Sequence, residues 1–195
     1  MEHVRNELAS WWAPHPDVPV ASHAPQIGSP APHTPKLGLE PGQPTVLVFL
    51  RHCGCPFAEK TYLNLREVAR RHLGVAFIAI SHSDERSTTA WLKSLPQVGS
   101  ETPNVRVVVD ARLEIYSAWG LGQAPYAHVL SPASLFEVWR LARDEGIVNR
   151  PTDSGSRWQM SGFFAVDKDG IVRWGRPAKR ADEIPDFEAA VRALG

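Results

Sequence analysis

Thr45-Val-Leu-Val-Phe-Leu-Arg-His-Cys-Gly-Cys-Pro-Phe-Ala58 begins with an apolar run of strand length and ends on a proline that opens a helical pattern. The unbroken hydrophobicity from Thr45 to Leu50 suits a strand buried on both faces, as in parallel sheets. Proline is favoured at the first helical position, which puts Cys55 at the cap of the following helix. Apolar residues then recur at Tyr62, Leu65, Val68, Ala69 and Leu73, predicting a helix over Ala58 to Leu73 that Gly74 stops. The same alternation continues downstream. Val75 to Ile80 reads as a second buried strand, and Ser87 to Leu95 as a short helix broken by Pro96. Val105 to Val109 is a third strand, followed by a helical turn or two over Leu113 to Trp119, ending at Gly120. Leu135 to Glu145 is amphipathic. Phe163 to Val166 and Ile171 to Trp174 flank Asp167-Lys-Asp-Gly170, which is hairpin chemistry. Asp182 to Leu194 is expected to close the chain as a helix.

Strands alternating with helices, then a hairpin and a final helix, predict an α/β sheet covered on both faces. Parallel crossovers bring the C-terminal ends of the first three strands to one edge, where ligands of open α/β sheets bind. That edge would carry Arg51 to Phe57, then Ser81-His82-Ser83, then Asp110. Upstream the chain changes character: nine of its seventeen prolines and four of its eight histidines precede residue 45. Such a stretch sustains neither a helix nor a central strand. The expected division is therefore 1–44, a short helix around Glu2 to Trp12 and a Pro-rich arm packed on the domain, and 45–195, the domain itself.

Composition excludes several classes of function. The 195 residues carry 21 Lys and Arg against 21 Asp and Glu, and nucleic-acid binders depend on a basic excess. The run from Val46 to Leu50 is far short of the roughly 20 apolar residues that span a bilayer. No charged start followed by an apolar core and a small-residue cleavage site opens the chain, so a cytoplasmic, non-membrane setting is expected. Cys53 and Cys55, its two cysteines, are too close together to staple distant segments.

Those cysteines are the most specific chemical feature. A thiol at the Cys55 cap faces unpaired backbone N–H groups and the positive end of the helix dipole, which favour the thiolate. Arg51 and His52 add positive potential. Cys53 has three candidate roles: a thiol that resolves Cys55, a packing residue, or a soft ligand with His52 or His82. No second cysteine pair completes a structural zinc site, so no metal is expected. His52 and His82 are candidate general bases, and Cys55, His82 and Asp110 a candidate nucleophile, base and orienter. Trp158 lies in a loop, Arg157 to Gly162, entering a buried strand near the same edge.

The stretch from Val46 to Ala58 resembles the Phe-Leu-Arg-His-x-Gly-Cys-Pro-x-Cys signature of thioredoxin-fold proteins in the AhpC/TSA, peroxiredoxin-like family. Asp110 to Leu121 is similar to the segment after that family's third strand, and Trp158 to Gly170 resembles its terminal hairpin. The resemblance implies a thioredoxin-like fold with a central mixed sheet. It also shows departures. Ala58 stands where the family has its second cysteine, which removes the usual dithiol pair. Val48 and His52 replace the proline and threonine that precede a typical peroxidatic cysteine. Ser161 lies where thioredoxins carry a cis-proline and peroxiredoxins an arginine.

Three readings follow. In the preferred one the protein is a thiol-dependent oxidoreductase: Cys55 attacks a disulfide or peroxide, with Cys53 and His52 as further catalytic residues and Arg51, His82 and Trp158 around the substrate. The reductant would be Cys53 or an external thiol such as glutathione or thioredoxin, with no bound cofactor. The second reading is acid–base or nucleophilic chemistry on a small organic molecule, using His52, His82 or Cys55. The third is a non-catalytic binding protein. A homodimer is compatible with all three.

Overall fold

Alternation of buried apolar residues along the strands produces one mixed sheet with two covered faces. The computed structural model describes residues 18–125, 132–152 and 154–195. The helix expected around Glu2 to Trp12 lies outside them. Five strands, β1 (Thr45–Phe49), β2 (Ala76–Ser81), β3 (Val105–Val109), β4 (Gly162–Val166) and β5 (Val172–Pro177), pair in the order β3-β2-β1-β4-β5. The β1–β2 and β2–β3 pairs are parallel, while β4 runs antiparallel to both β1 and β5. This is the thioredoxin-like arrangement that the sequence implies.

Side chains of β1 leave the sheet alternately on its two sides. Val46 and Val48 join the core packed by α1 (Pro56–Arg71), α2 (Glu85–Ser94), α4 (Pro132–Glu145) and α5 (Phe187–Arg192). Leu47 and Phe49 join the opposite core, which α3 (Glu114–Ala118) covers together with Trp119 and Leu37. There Phe49 meets Tyr116 edge-on at 5.1 Å between ring centroids, and Trp119 lies 4.8 Å from Phe164. The Tyr116 hydroxyl sits 2.6 Å from the Leu50 carbonyl and 2.8 Å from that of Ile80, tying together the chain ends of β1 and β2. Burial pushes the Tyr116 pKa well up, so the hydroxyl remains a donor.

Asp167 shapes the hairpin as expected, its carboxylate accepting the N–H groups of Asp169 and Ile171 at 2.9 Å each. The described part of the arm is held by backbone bonds. Gly28 and Ala31 donate to Val172 and Gly170, and Ala21 donates to Ser117. Arg106 fixes the arm to β3 by donating to the carbonyls of Leu37 and Gly38.

Two helices differ most from the sequence reading at their starts, and β5 runs on to Pro177 rather than ending at Trp174. The last helix begins at Phe187 rather than Asp182, because Pro185 precedes its cap, Asp186, which accepts from Ala189 N–H at 2.9 Å. Asp182 and Glu183 instead form ion pairs with Arg180 and Arg176. The α4 helix starts at Pro132, three residues earlier than its apolar spacing suggests. Its Leu135, Phe136 and Trp139 stand exposed. Among the described residues no helix is long and apolar enough to cross a membrane.

Candidate functional site

Parallel pairing places Arg51 to Phe57, Ser81 to Ser83 and Asp110 along one edge of the sheet. Cys55 is the cap of α1, with Pro56 at the helix start. Its carbonyl accepts from Ala58 and Glu59, whereas its side chain makes no capping hydrogen bond. Cys53 and Cys55 are both buried free thiols. The Cys53 sulfur lies 3.6 Å from Ser81 Oγ and donates to Thr88 Oγ1 at 3.7 Å. Burial pushes the Cys53 pKa up, so this residue stays a thiol. Gly54 between them has φ +105°, and a Cβ there would be driven into the carbonyl oxygen of Arg150.

Arg51 follows β1 and is only 6% exposed. One terminal nitrogen donates to the Arg157 carbonyl at 2.9 Å, but Nε and Nη1 are buried without a hydrogen-bond partner. Arg51 borders a void of about 10 Å³, shared with Phe57, Ala58 and Thr61 of the first helical turns and with Ser161. Room for about one water is all that such a volume gives. Glu183 also reaches this void, with its carboxylate committed to Arg176. Two nitrogens of a buried guanidinium, Nε and Nη1, are therefore left unmatched in a residue that borders the first turns of the helix Cys55 caps.

His52 is buried, and its Nδ1–H donates to the Cys53 carbonyl at 3.1 Å. Burial first, then the charges of Arg51 and Arg157, hold its pKa well below 6.5. Below about pH 6.5 the unfolded chain takes up this proton and the folded chain does not. The folded state then binds fewer protons, so stability falls as pH falls, by at most about 1.4 kcal/mol per pH unit. His52→Asn should flatten urea-unfolding stability between pH 6.5 and 5 relative to the parent; an unchanged slope would refute the assignment.

His82 packs edge-on against Tyr116, with ring centroids 5.3 Å apart, and its Nε2–H donates to Ser156 O at 3.0 Å. Asp110 does not orient it. The Asp110 carboxylate accepts the backbone N–H groups of Glu114, Ile115 and Tyr116 at 3.1, 2.8 and 3.1 Å. It holds the start of α3, and the triad of Cys55, His82 and Asp110 does not form. Ser161 contributes to the void beside Arg51, and its carbonyl accepts from Ala178 N–H. Trp158 follows Arg157 in the covering loop; its carbonyl accepts from Ala124 N–H at 2.6 Å, and it borders neither the Arg51 void nor the cleft beside Cys53.

Sequence reasoning missed the roof over this edge. Residues 150–152 and 154–157 lie over the loops that follow β1 and β2. Arg150 N–H donates to Gly54 O at 2.9 Å, and its guanidinium grips both oxygens of buried Glu59 at 2.8 and 3.0 Å. Ser83 Oγ accepts from Cys53 N–H and donates to Ser154 O at 3.2 Å. Ser154 Oγ accepts from Asp84 N–H at 2.7 Å.

The model of one family, described as AhpC/TSA antioxidant enzyme, matches residues 64–180, more than half of the chain. The chain belongs to the AhpC/TSA family. The matched residues begin after the cysteine loop, and Ala58 in place of the second cysteine makes this a degenerate member. No curated protein matches the chain in sequence. Among solved structures, peroxiredoxin 6 of Arenicola marina, as a cysteine-to-serine mutant, has a TM-score of 0.60 at 14% identity, over 87% of this chain and 71% of that one. Thiol peroxidase from Chromobacterium violaceum has a TM-score of 0.59 at 14% identity, over 91% and 90%. Reduced Prx3 of Vibrio vulnificus in complex with H2O2 gives 0.56 at 17%, over 87% and 95%. These likenesses establish the AhpC/TSA chain's fold.

Proposed function

We propose that this AhpC/TSA protein is a thiol-dependent peroxidase with Cys55 as nucleophile. The Cys55 thiolate attacks the outer oxygen of a hydroperoxide, forming an S–O bond as the O–O bond breaks. The departing alkoxide or hydroxide takes up a proton, and Cys55 is left as a sulfenic acid. Cys53 supplies its thiol to that group; an S–S bond forms and water leaves. Two external thiols of the glutathione or thioredoxin kind then return the pair to the reduced state. A disulfide between residues two apart closes a small ring and would be labile, which suits a turnover intermediate.

One observation carries the reading. Arg51, which borders the first turns of the helix that Cys55 caps, keeps two buried guanidinium nitrogens, Nε and Nη1, unmatched. Preorganised donors stabilise charge that collects on a leaving oxygen, and they act most strongly away from water. Arg51 would thus supply the polarisation that Val48, His52 and Ser161 do not. The Vibrio vulnificus neighbour, whose structure holds H2O2, lends support from a related fold. Acid–base chemistry gains less, because His52 and His82 are both buried and each commits a ring N–H to a backbone carbonyl.

The test is to locate the first oxidation product. Cys53→Ser protein treated with one equivalent of hydrogen peroxide and dimedone should acquire one adduct, on Cys55. Absence of the adduct, with Cys55 still alkylatable afterwards, would overturn the proposal.

A further inference from the structure

Cys53 borders a cleft of about 390 Å³ on the α2 side of the loop, with Gly54, Arg86, Trp91, Arg150 and Thr152 among its walls. That volume lies within the range of sites for small ligands. Among the described residues no Asp or Glu lines it. Arg86 is exposed, with the Asp84 carboxylate at the α2 cap as its neighbouring acid. Arg150 shares its charge with Glu59. Trp91 is 5% exposed, and its indole N–H is buried without an acceptor. The walls thus offer a sulfur, a cationic rim and an unmatched N–H donor, a set that calls for a ligand with a thiol, a carboxylate and a carbonyl oxygen.

We infer that this cleft receives a low-molecular-weight, carboxylate-bearing peptide thiol, which reduces the protein by attacking Cys53. The inference rests on the peroxidase reading and names its reductant. The thiolate forms a bond to the Cys53 sulfur, the Cys53–Cys55 bond breaks, and the electron pair departs on Cys55. Access fixes this direction because Cys53, and not Cys55, lines the cleft. A second thiolate attacks the sulfur of the bound thiol. The small disulfide leaves, and the electron pair returns to Cys53 with a proton. Two thiols become one disulfide as the protein disulfide becomes two thiols.

Two probes test this apart from peroxidase activity. S-methylglutathione, which cannot react, should bind the reduced protein with one-to-one stoichiometry by calorimetry. Arg86→Glu should weaken that binding about fivefold, within the range of a surface charge contact. In Cys55→Ser protein, glutathione disulfide should modify Cys53 faster than uncharged hydroxyethyl disulfide, and Arg86→Glu should erase the preference. No binding, or binding and reaction rates indifferent to Arg86→Glu, would overturn the inference. Binding that persists when no Cys55 sulfenic acid can be trapped would sustain the ligand site and refute the peroxidase cycle alone.

Discussion

Cys55→Ser should abolish thiol-dependent hydroperoxide turnover, a loss of at least about 10³-fold, while leaving the unfolding midpoint nearly unchanged. Serine keeps the shape at the cap of α1 and suits that position better than cysteine, so the helix has no reason to fray. What disappears is the sulfur nucleophile. Arg51→Met should give a different pattern. Turnover should fall about 10²-fold, the usual loss when one preorganised donor is removed. Stability should rise rather than fall, because the guanidinium is buried with two of its nitrogens unmatched and one bond to Arg157 O. An apolar side chain of similar length lifts that penalty. The opposite signs are the useful feature, since a merely structural arginine would lose both quantities together. Arg51→Met with full turnover, or Cys55→Ser with any sustained thiol-dependent activity, would dismiss the mechanism.

The residues that organise the site were legible where local chemistry determines structure. Pro56 announced the helix and hence the position of Cys55. The apolar run from Thr45 to Leu50 announced a strand buried on both faces. The Asp167 turn is equally local. Legibility ended where long-range partners decide. Asp110, read as a candidate orienter because it stands on the sheet edge, instead receives three backbone N–H groups from α3. Its capping role was obscured because Leu113, with φ +60°, intervenes between it and the helix. Glu59 looks like any acidic residue in a first helical turn, yet it is the buried partner of Arg150, 91 residues away. The roof from Arg150 to Arg157 shows no periodicity, and much of its hold comes from backbone groups: Arg150 N–H, Ser154 O, Ser156 O and Arg157 O. Any residue supplies such groups, so no residue pattern announces them. Arg51 was singled out from sequence as substrate-binding, but its unmatched donors are visible only in three dimensions.

Gly54→Ala should destabilise the protein by about 3 kcal/mol, the larger part from contact rather than from backbone conformation. Gly28→Ala separates the two causes. Gly28 has φ +91°, similar to the +105° of Gly54, but a Cβ there meets nothing within 4 Å. It should show the conformational penalty alone, about 1 kcal/mol or slightly more. At Gly54 the new methyl group also collides with the Arg150 carbonyl, which is backbone and has no rotamer to yield. Relief requires the roof to lift. Lifting breaks the Arg150 N–H bond to Gly54 O and loosens the guanidinium from Glu59, whose side chain is only 4% exposed. Stranding a buried carboxylate costs roughly 3–5 kcal/mol when its partner is fully buried too. Here the arginine side chain is 32% exposed and solvent screens part of that loss, so the smaller total follows. A lifted roof also opens the cleft beside Cys53, so iodoacetamide should label that thiol faster in native Gly54→Ala protein than in the parent. Urea unfolding of both glycine variants, with the labelling rate beside it, decides the matter. If Gly54→Ala and Gly28→Ala lose the same stability and label alike, the roof does not bear on the cysteine loop and the coupling described here is wrong.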